Sequence, residues 1–101
     1  QFIKQEKAEI LFLQNCAVCH PTGTNLILPE KNLKKENLET NGMNSKASML
    51  YQIRNGKNGM PAFGDRLKFE EIESIVEYIL LQSEKNFENS LKISLYYIVP
   101  Y

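Results

Sequence analysis

Apolar residues recur at spacings of three and four in two segments of this chain. The first pattern predicts a helix over residues 2–15, with Ala8 and Phe12 on its apolar face. The second predicts a helix over residues 69–82. Its buried-face positions are occupied by Ile72, Ile75, Val76, Ile79 and Leu80. Because both helices have broad apolar faces, we expect them to cross, with Phe12 packed against Tyr78 or Ile79.

Two shorter helices are predicted between these. Leu33 and Leu38 give residues 33–40 a short apolar side, and the break after this segment precedes Ser45. Ser45 is suited to cap a third helix that runs to about Asn55. Residues 21–31 contain proline, glycine and asparagine in the pattern of a loop. The sequence therefore predicts an all-α protein.

Residues 90–101 differ in pattern from the rest of the chain. Leu91, Ile93, Leu95 and Tyr97 alternate with other residues at a strand-like period, but no second strand is predicted to pair with them. We divide the chain into one domain over residues 1–89 and a carboxyl-terminal extension over residues 90–101. An ordered extended segment, a partner-docking segment and a disordered end all remain open for this extension.

Length and charge exclude several classes of protein. The chain has 101 residues, which fits one domain, and its 12 Lys and Arg residues equal its 12 Asp and Glu residues. There is no basic excess that would indicate nucleic-acid binding. No run of roughly 18 apolar residues predicts a membrane span, and no basic and apolar leader opens the chain. The sequence therefore predicts a soluble protein.

A Cys-x-x-Cys-His motif contains the only two cysteines and the only histidine of the chain: Cys16, Cys19 and His20. This motif is typical of covalent c-type haem attachment. Each thiol adds to a haem vinyl group, and the imidazole that follows coordinates the iron. The motif thus predicts one covalent haem c, with His20 as an axial ligand.

Three other interpretations of the two cysteines agree less well with the sequence than haem attachment does. A thioredoxin-like redox pair needs a βαβ context, and no alternation of strands and helices is predicted. A structural zinc site usually needs four protein ligands, and the sequence has no second Cys or His pair. A plain disulfide between Cys16 and Cys19, or a buried pair with no chemical role, is the third alternative.

A second iron ligand is expected from one of three methionines. Met49 lies on a predicted helix face, where packing in the core is the ordinary use of methionine, and Met43 lies in a polar turn. Met60 lies in a loop with two glycines and is followed by Pro61, which stiffens the turn. We therefore expect Met60 to be the sixth ligand. Ligation by Met and His favours electron transfer and argues against peroxidase chemistry, which needs an open position on the iron.

Two further residues are expected to act near the haem. A backbone carbonyl that accepts a hydrogen bond from His20 would fix the imidazole ring and its tautomer, and Pro29 is the candidate for that carbonyl. The side-chain amide of Gln52 is a candidate for contact with the haem, and a solvated glutamine is the alternative.

With these residues placed, the chain resembles the cytochrome c₆ family over roughly residues 5–88. The motifs that carry the resemblance are Asn15 to His20, Asn25, Leu28 to Lys31, Tyr51 to Lys57, Gly59 to Ala62, Asp65 to Leu67 and Glu70 to Ile72. The chain departs from the family pattern at Ala8, which replaces a glycine, and at Lys68, which replaces a serine cap. The extension after Asn89 has no counterpart in the family.

The resemblance implies the all-α class I cytochrome c fold, with about four helices around one haem. It implies that Cys16 and Cys19 hold the haem covalently, that His20 and Met60 are axial ligands, and that Gln52 lies near the haem. Together with the carbonyl of Pro29, Asn25 is also expected at the haem site. Arg66, with Lys57, would form a positive docking patch near the haem edge.

The function that the resemblance implies is electron transport, not enzyme catalysis. The chain would carry one electron from cytochrome f of the cytochrome bf complex to photosystem I. It would do so in the thylakoid lumen of a plastid, or in the lumen or periplasm of a cyanobacterium, after removal of a targeting signal. The alternatives are a donor to a respiratory terminal oxidase and a haem-containing interaction subunit that docks through residues 90–101.

Overall fold

The computed structural model describes the backbone of residues 2–88 and the side chains of residues 5–88. Within this range the fold is all α-helical, as the sequence predicted. The helices are α1 (Phe2–Asn15), α2 (Lys35–Thr40), α3 (Lys46–Asn55) and α4 (Phe69–Glu84), with short 3₁₀ turns at Pro21–Gly23 and Pro29–Lys31. The predicted extension over residues 90–101, with its strand-like pattern, lies outside the described residues.

Helix α4 packs against both α1 and α3 and forms the centre of the molecule. Ile75 and Val76 on α4 are completely buried. The ring of Phe12 lies 5.2 Å from that of Tyr78, between centroids, which confirms the predicted crossing of the first and last helices. Because burial of apolar surface is the main favourable term in folding, this contact contributes to the packing of α1 against α4.

The start of α3 agrees with the sequence signal, whereas the start of α2 does not. The hydroxyl of Ser45 accepts a hydrogen bond from the backbone N–H of Ser48 at 3.2 Å, which confirms the predicted cap of α3. Helix α2 begins two residues later than predicted, because the side chain of Asn32 accepts a bond from the N–H of Lys34 at 2.9 Å. That bond holds the preceding residues in a turn instead of a helix.

Helix α4 begins without a side-chain acceptor at its N-cap. Lys68 occupies that position, and its own backbone N–H donates to the carboxylate of Glu71 at 2.8 Å. This is half of the reciprocal pair of bonds that a serine at the cap would complete. The last turn of the helix extends to Glu84, two residues beyond the prediction.

A carboxyl group lies buried at the crossing of α1 and α4. Glu9 is 3% exposed. Tyr78 donates a hydrogen bond to this carboxyl group, but Oε2 of Glu9 has no partner among the described residues. Burial raises the pKa of Glu9, and the bond from Tyr78 offsets part of that increase. The sequence pattern did not predict that Glu9 is buried, because a charged residue in an amphipathic helix is normally assigned to the solvent-exposed face.

Candidate haem site

The end of α1 delivers the Cys-x-x-Cys-His motif in a single turn. The backbone N–H groups of Cys19 and His20 both donate to the carbonyl of Cys16, at 3.1 and 2.9 Å. The N–H of Cys16 in turn donates to the carbonyl of Phe12 at 2.7 Å. The two cysteines and the histidine are therefore held together on the rigid end of a helix.

A cavity of about 240 Å³ opens beside this turn. Cys16, Cys19 and His20 line one part of its wall, and Met60 lines it from the loop after α3. Three more of the predicted site residues also line the cavity: Asn25, Gln52 and Lys57. Pro29 and Arg66 do not.

The two cysteines are free thiols. Burial, with a smaller contribution from Cys19, raises the pKa of Cys16 to about 12, so before any attachment to haem its thiol is neutral at physiological pH. Among the described residues, no three His, Cys, Asp or Glu side chains are grouped closely enough to hold a metal ion by themselves. The pair is thus arranged neither as a disulfide nor as part of a multi-ligand zinc site.

The imidazole of His20 is oriented by a backbone carbonyl, but the predicted acceptor was wrong. Nδ1 lies 2.8 Å from the carbonyl oxygen of Thr24. The 3₁₀ turn after His20 folds that carbonyl back over the ring. The carbonyl of Pro29 instead accepts a bond from the side chain of Asn32 at 3.0 Å. Thr24 was missed because no side-chain pattern marks a residue that acts only through its backbone.

The Thr24 bond determines what His20 can do chemically. Nδ1 acts as the donor to this carbonyl, which leaves the lone pair of Nε2 available to a metal. Burial lowers the pKa of His20, with a smaller opposing effect of the Thr24 bond, so the neutral imidazole is favoured. A neutral, oriented imidazole is the form that ligates iron.

The loop that carries Met60 is rigid for local reasons. Lys57 and Met60 exchange two backbone hydrogen bonds, at 3.0 and 2.9 Å, around Asn58 and Gly59. Both of these central residues have positive φ, 48° and 88°, as a type I′ turn requires. Gly56 also packs so closely that a Cβ atom there would lie 2.8 Å from the backbone nitrogen of Ala62. The backbone around Met60 is therefore tightly constrained.

The side chain of Gln52 points into the cavity from α3. Its Nε2 donates to Sδ of Met60 at 3.6 Å, which is within hydrogen-bond range for sulfur. The amide is thus engaged beside the methionine, and the alternative of a fully solvated glutamine does not apply. Met43, expected in a polar turn, also packs against the core and lines the cavity, as does Met49.

The amide of Asn25 shapes the loop around the cavity. Its oxygen accepts bonds from the N–H groups of Ile27 and Leu28 at 2.9 and 2.8 Å. Its nitrogen donates to the carbonyl of Lys31 at 3.1 Å. All of these partners are backbone atoms of the loop over residues 25–31, so Asn25 acts on the site through the shape of that loop.

The two predicted docking residues lie on the surface near the cavity. Lys57 is exposed at the rim. Arg66 is exposed, and its guanidinium lies 5.1 Å from the ring centroid of Phe63, which lines the cavity. Stacking on an aromatic ring restrains an arginine without neutralising its charge.

The residues of the cavity fit a covalently attached haem. The walls are largely apolar, two thiols lie one turn apart, a neutral imidazole has a free Nε2, and the thioether of Met60 lines the same cavity from a stiff loop. Within residues 2–88, the helices are too short or too polar to cross a membrane.

Comparison with known proteins identifies the family. A cytochrome c6 of Bumilleriopsis filiformis is 52% identical over 83 residues, which is 82% of this chain and 96% of that protein. A cytochrome c6 of Pyropia tenera is 51% identical over 81% of this chain and 96% of that protein. This chain belongs to the cytochrome c6 family.

Cytochrome c6 structures agree with that assignment. The crystal structure of cytochrome c6 from the diatom Phaeodactylum tricornutum is similar with a TM-score of 0.78 and 43% identity, over 81% of this chain and 97% of that one. The family model described as subunit III of cbb3-type cytochrome c oxidase matches residues 4–79. As a member of the cytochrome c6 family, the chain has one covalently bound haem c and is a haem electron carrier.

Proposed function

We propose that this chain carries single electrons from cytochrome f of the cytochrome bf complex to photosystem I in the thylakoid lumen of a plastid, or in the corresponding compartment of a cyanobacterium. When bound, the haem supplies one iron that alternates between the ferrous and ferric states. The observation that carries the proposal is the cavity lined by Cys16, Cys19, His20 and Met60, in a chain about half identical to cytochromes c6 over most of its length.

In this proposal Cys16 and Cys19 would attach the haem, and His20 and Met60 would ligate its iron. Thr24 holds the imidazole in one orientation, and Gln52 holds the methionine. With both ligands supplied by the protein, the iron would keep no open position for a substrate, which favours electron transfer over catalysis on the iron. The thioether ligand also raises the reduction potential.

Lys57 and Arg66 form the proposed docking patch for photosystem I. Positive charge near the point where the electron leaves the protein attracts an acidic partner. It raises the association rate without requiring a large interface. The patch should therefore affect the association rate more strongly than the lifetime of the complex.

The test is flash-induced oxidation of the reduced haem protein by photosystem I particles. We expect rapid oxidation that slows as salt increases. Arg66→Glu should slow the second-order rate by about tenfold at low salt, and Lys7→Glu, at an exposed lysine on α1 outside the cavity lining, serves as the matched control. Equal rates for the two variants would contradict the docking patch.

A second candidate function is donation to a terminal oxidase, favoured by the match to a cbb3-type oxidase subunit. The same reduced protein can be mixed with an oxidase preparation while oxygen consumption is followed. Turnover with the oxidase, together with no oxidation by illuminated photosystem I, would replace the first proposal with this one.

A further inference from the structure

The chain immediately after α4 folds back onto the turn that holds His20. The N–H of Asn86 donates to the carbonyl of Ser83 at 3.0 Å, and the N–H of Phe87 donates to that of Gln82 at 2.8 Å. These two bonds form a Schellman motif, in which Asn86 takes the usual left-handed position with φ of 50°.

Phe87 has a conformation that the helix end does not require. Its φ is 62°, also left-handed, which is a genuine outlier for a bulky residue. An unfavourable backbone conformation persists only where its surroundings enforce it. Here it turns the Phe87 side chain inward, where the residue is 4% exposed.

The ring of Phe87 lies against three neighbours. Its centroid is 5.9 Å from that of Phe12 and 6.2 Å from that of Tyr78. On the third side it presses on Gly23, where a Cβ atom would lie within 2.9 Å of three ring carbons. Gly23 has φ of 84°, so both its conformation and its contact with Phe87 require glycine.

Gly23 belongs to the turn that orients the imidazole. Its N–H donates to the carbonyl of His20 at 3.1 Å, and the next residue, Thr24, supplies the carbonyl 2.8 Å from Nδ1 of His20. The carbonyl of Gly23 accepts a bond from Leu33 at 2.7 Å. The turn is therefore fixed by hydrogen bonds on one side and by the Phe87 ring on the other.

The segment that presents Phe87 is itself tied to α2. The side chain of Asn86 accepts a bond from the N–H of Lys35 at 3.2 Å, and the ammonium of Lys35 lies 3.2 Å from the carboxylate of Glu84. These contacts hold the end of α4 at the start of α2, beside the loop that follows His20.

From these contacts we propose that Phe87 is a positioning residue for His20: its ring presses on Gly23 and thereby holds the Thr24 carbonyl at Nδ1. The proposal rests on the proposed role of His20 as an iron ligand. The hydrogen bond that Nδ1 donates to the Thr24 carbonyl makes the imidazole a stronger electron donor to the iron, which favours the ferric state. Loss of the Phe87 ring should therefore loosen the Thr24 bond and raise the reduction potential.

The test compares Phe87→Leu with Ile75→Ala in the haem-containing full chain. Ile75 is completely buried on the same helix and lies outside the cavity lining, so its truncation lowers stability without touching the turn. We expect Phe87→Leu to raise the reduction potential and to accelerate solvent exchange of the Nδ1 proton of His20 by about tenfold or more. Ile75→Ala should change neither value.

Equal potentials and exchange rates in the two variants would overturn the proposal. If Phe87→Leu fails to fold, a second test of the contact introduces Gly23→Ala into the wild type and into Phe87→Met. The readout is again the solvent exchange of the Nδ1 proton of His20. Faster exchange for Gly23→Ala in the wild-type background, restored in part by Phe87→Met, supports the proposal, and no such restoration counts against it. Failure of the proposed function itself would be recognised separately, because wild-type protein would then lack the spectrum of His and Met ligation.

Discussion

A single residue, Glu9, gives the chain an expected pH dependence of stability. Burial raises the pKa of Glu9 above the usual carboxyl value of 4.5. Below that value the carboxyl is protonated in both states, and its contribution to stability is fully present. As pH rises, the unfolded chain loses this proton while the folded chain retains it up to the higher, folded pKa. The free energy of unfolding should therefore fall across this interval.

We predict that Glu9→Gln removes this decline, because the amide stays neutral and still accepts the hydrogen bond from Tyr78. At pH 7 the variant should be more stable than the wild type, because the amide carries no negative charge that burial disfavours. Urea denaturation of both proteins at a series of pH values measures the difference. Glu36→Gln, at an exposed carboxylate on α2, controls for the lost charge. A decline unchanged in Glu9→Gln would show that Glu9 is not its source.

Gln52 is expected to tune the iron through Met60. Its N–H group places the positive end of a dipole beside the thioether, 3.6 Å from the sulfur. A positive dipole near the iron disfavours the ferric state, so Gln52→Leu should lower the reduction potential. We expect a decrease on the order of 50 mV, which is close to a tenfold change in a one-electron equilibrium. Redox titration measures it, and an unchanged or raised potential would contradict this role.

At the residue scale, the sequence predicted which side chains line the cavity better than it predicted which backbone groups bind them. Cys16, Cys19, His20 and Met60 were selected by residue type and spacing, and the structure brings them to one cavity. The acceptor for His20 was assigned to Pro29 and proved to be Thr24. Every residue has a carbonyl, so only the path of the backbone decides which one reaches the ring.

At the scale of elements, the helix caps offer a matched pair of substitutions. Ser45 accepts a bond at the start of α3, whereas Lys68 at the start of α4 has no acceptor to offer. Ser45→Ala should lower the free energy of unfolding by about 1 kcal/mol, and Lys68→Ser should raise it by a similar amount. Chemical denaturation of the two variants checks both signs. Unchanged or lower stability in Lys68→Ser would contradict the prediction that a side-chain acceptor is missing at this helix end.

The helices themselves were largely predictable from local signals. Apolar spacing identified α1 and α4, and Ser45 marked the start of α3. The errors were at the ends, where side-chain bonds such as that of Asn32 decide between a turn and a helix. The left-handed conformation of Phe87 was beyond prediction, because it depends on contacts with α1 and with the loop after His20.

At the scale of the whole molecule, the haem is expected to form part of the core. The cavity reaches the buried faces of α1 and α4, at Phe12 and Ile79. A chain of this size buries too little surface to be strongly stable without additional support. We predict that the double variant with Cys16→Ser and Cys19→Ser, which cannot attach haem covalently, loses its near-ultraviolet circular dichroism signal and its cooperative unfolding transition. A cooperative transition in this double variant would show that the helices are sufficient alone.

The central claim is that His20 and Met60 bind the iron of a covalent haem from opposite sides. The most direct measurement is the absorption spectrum of the ferric protein, with Met60→Ala compared to Met43→Leu and Met49→Leu, since all three methionines line the cavity. The account predicts a sulfur-to-iron charge-transfer band in the wild type and in the Met43 and Met49 variants, and its loss in Met60→Ala alone. A band that survives in Met60→Ala, or that disappears with Met43 or Met49, would contradict it.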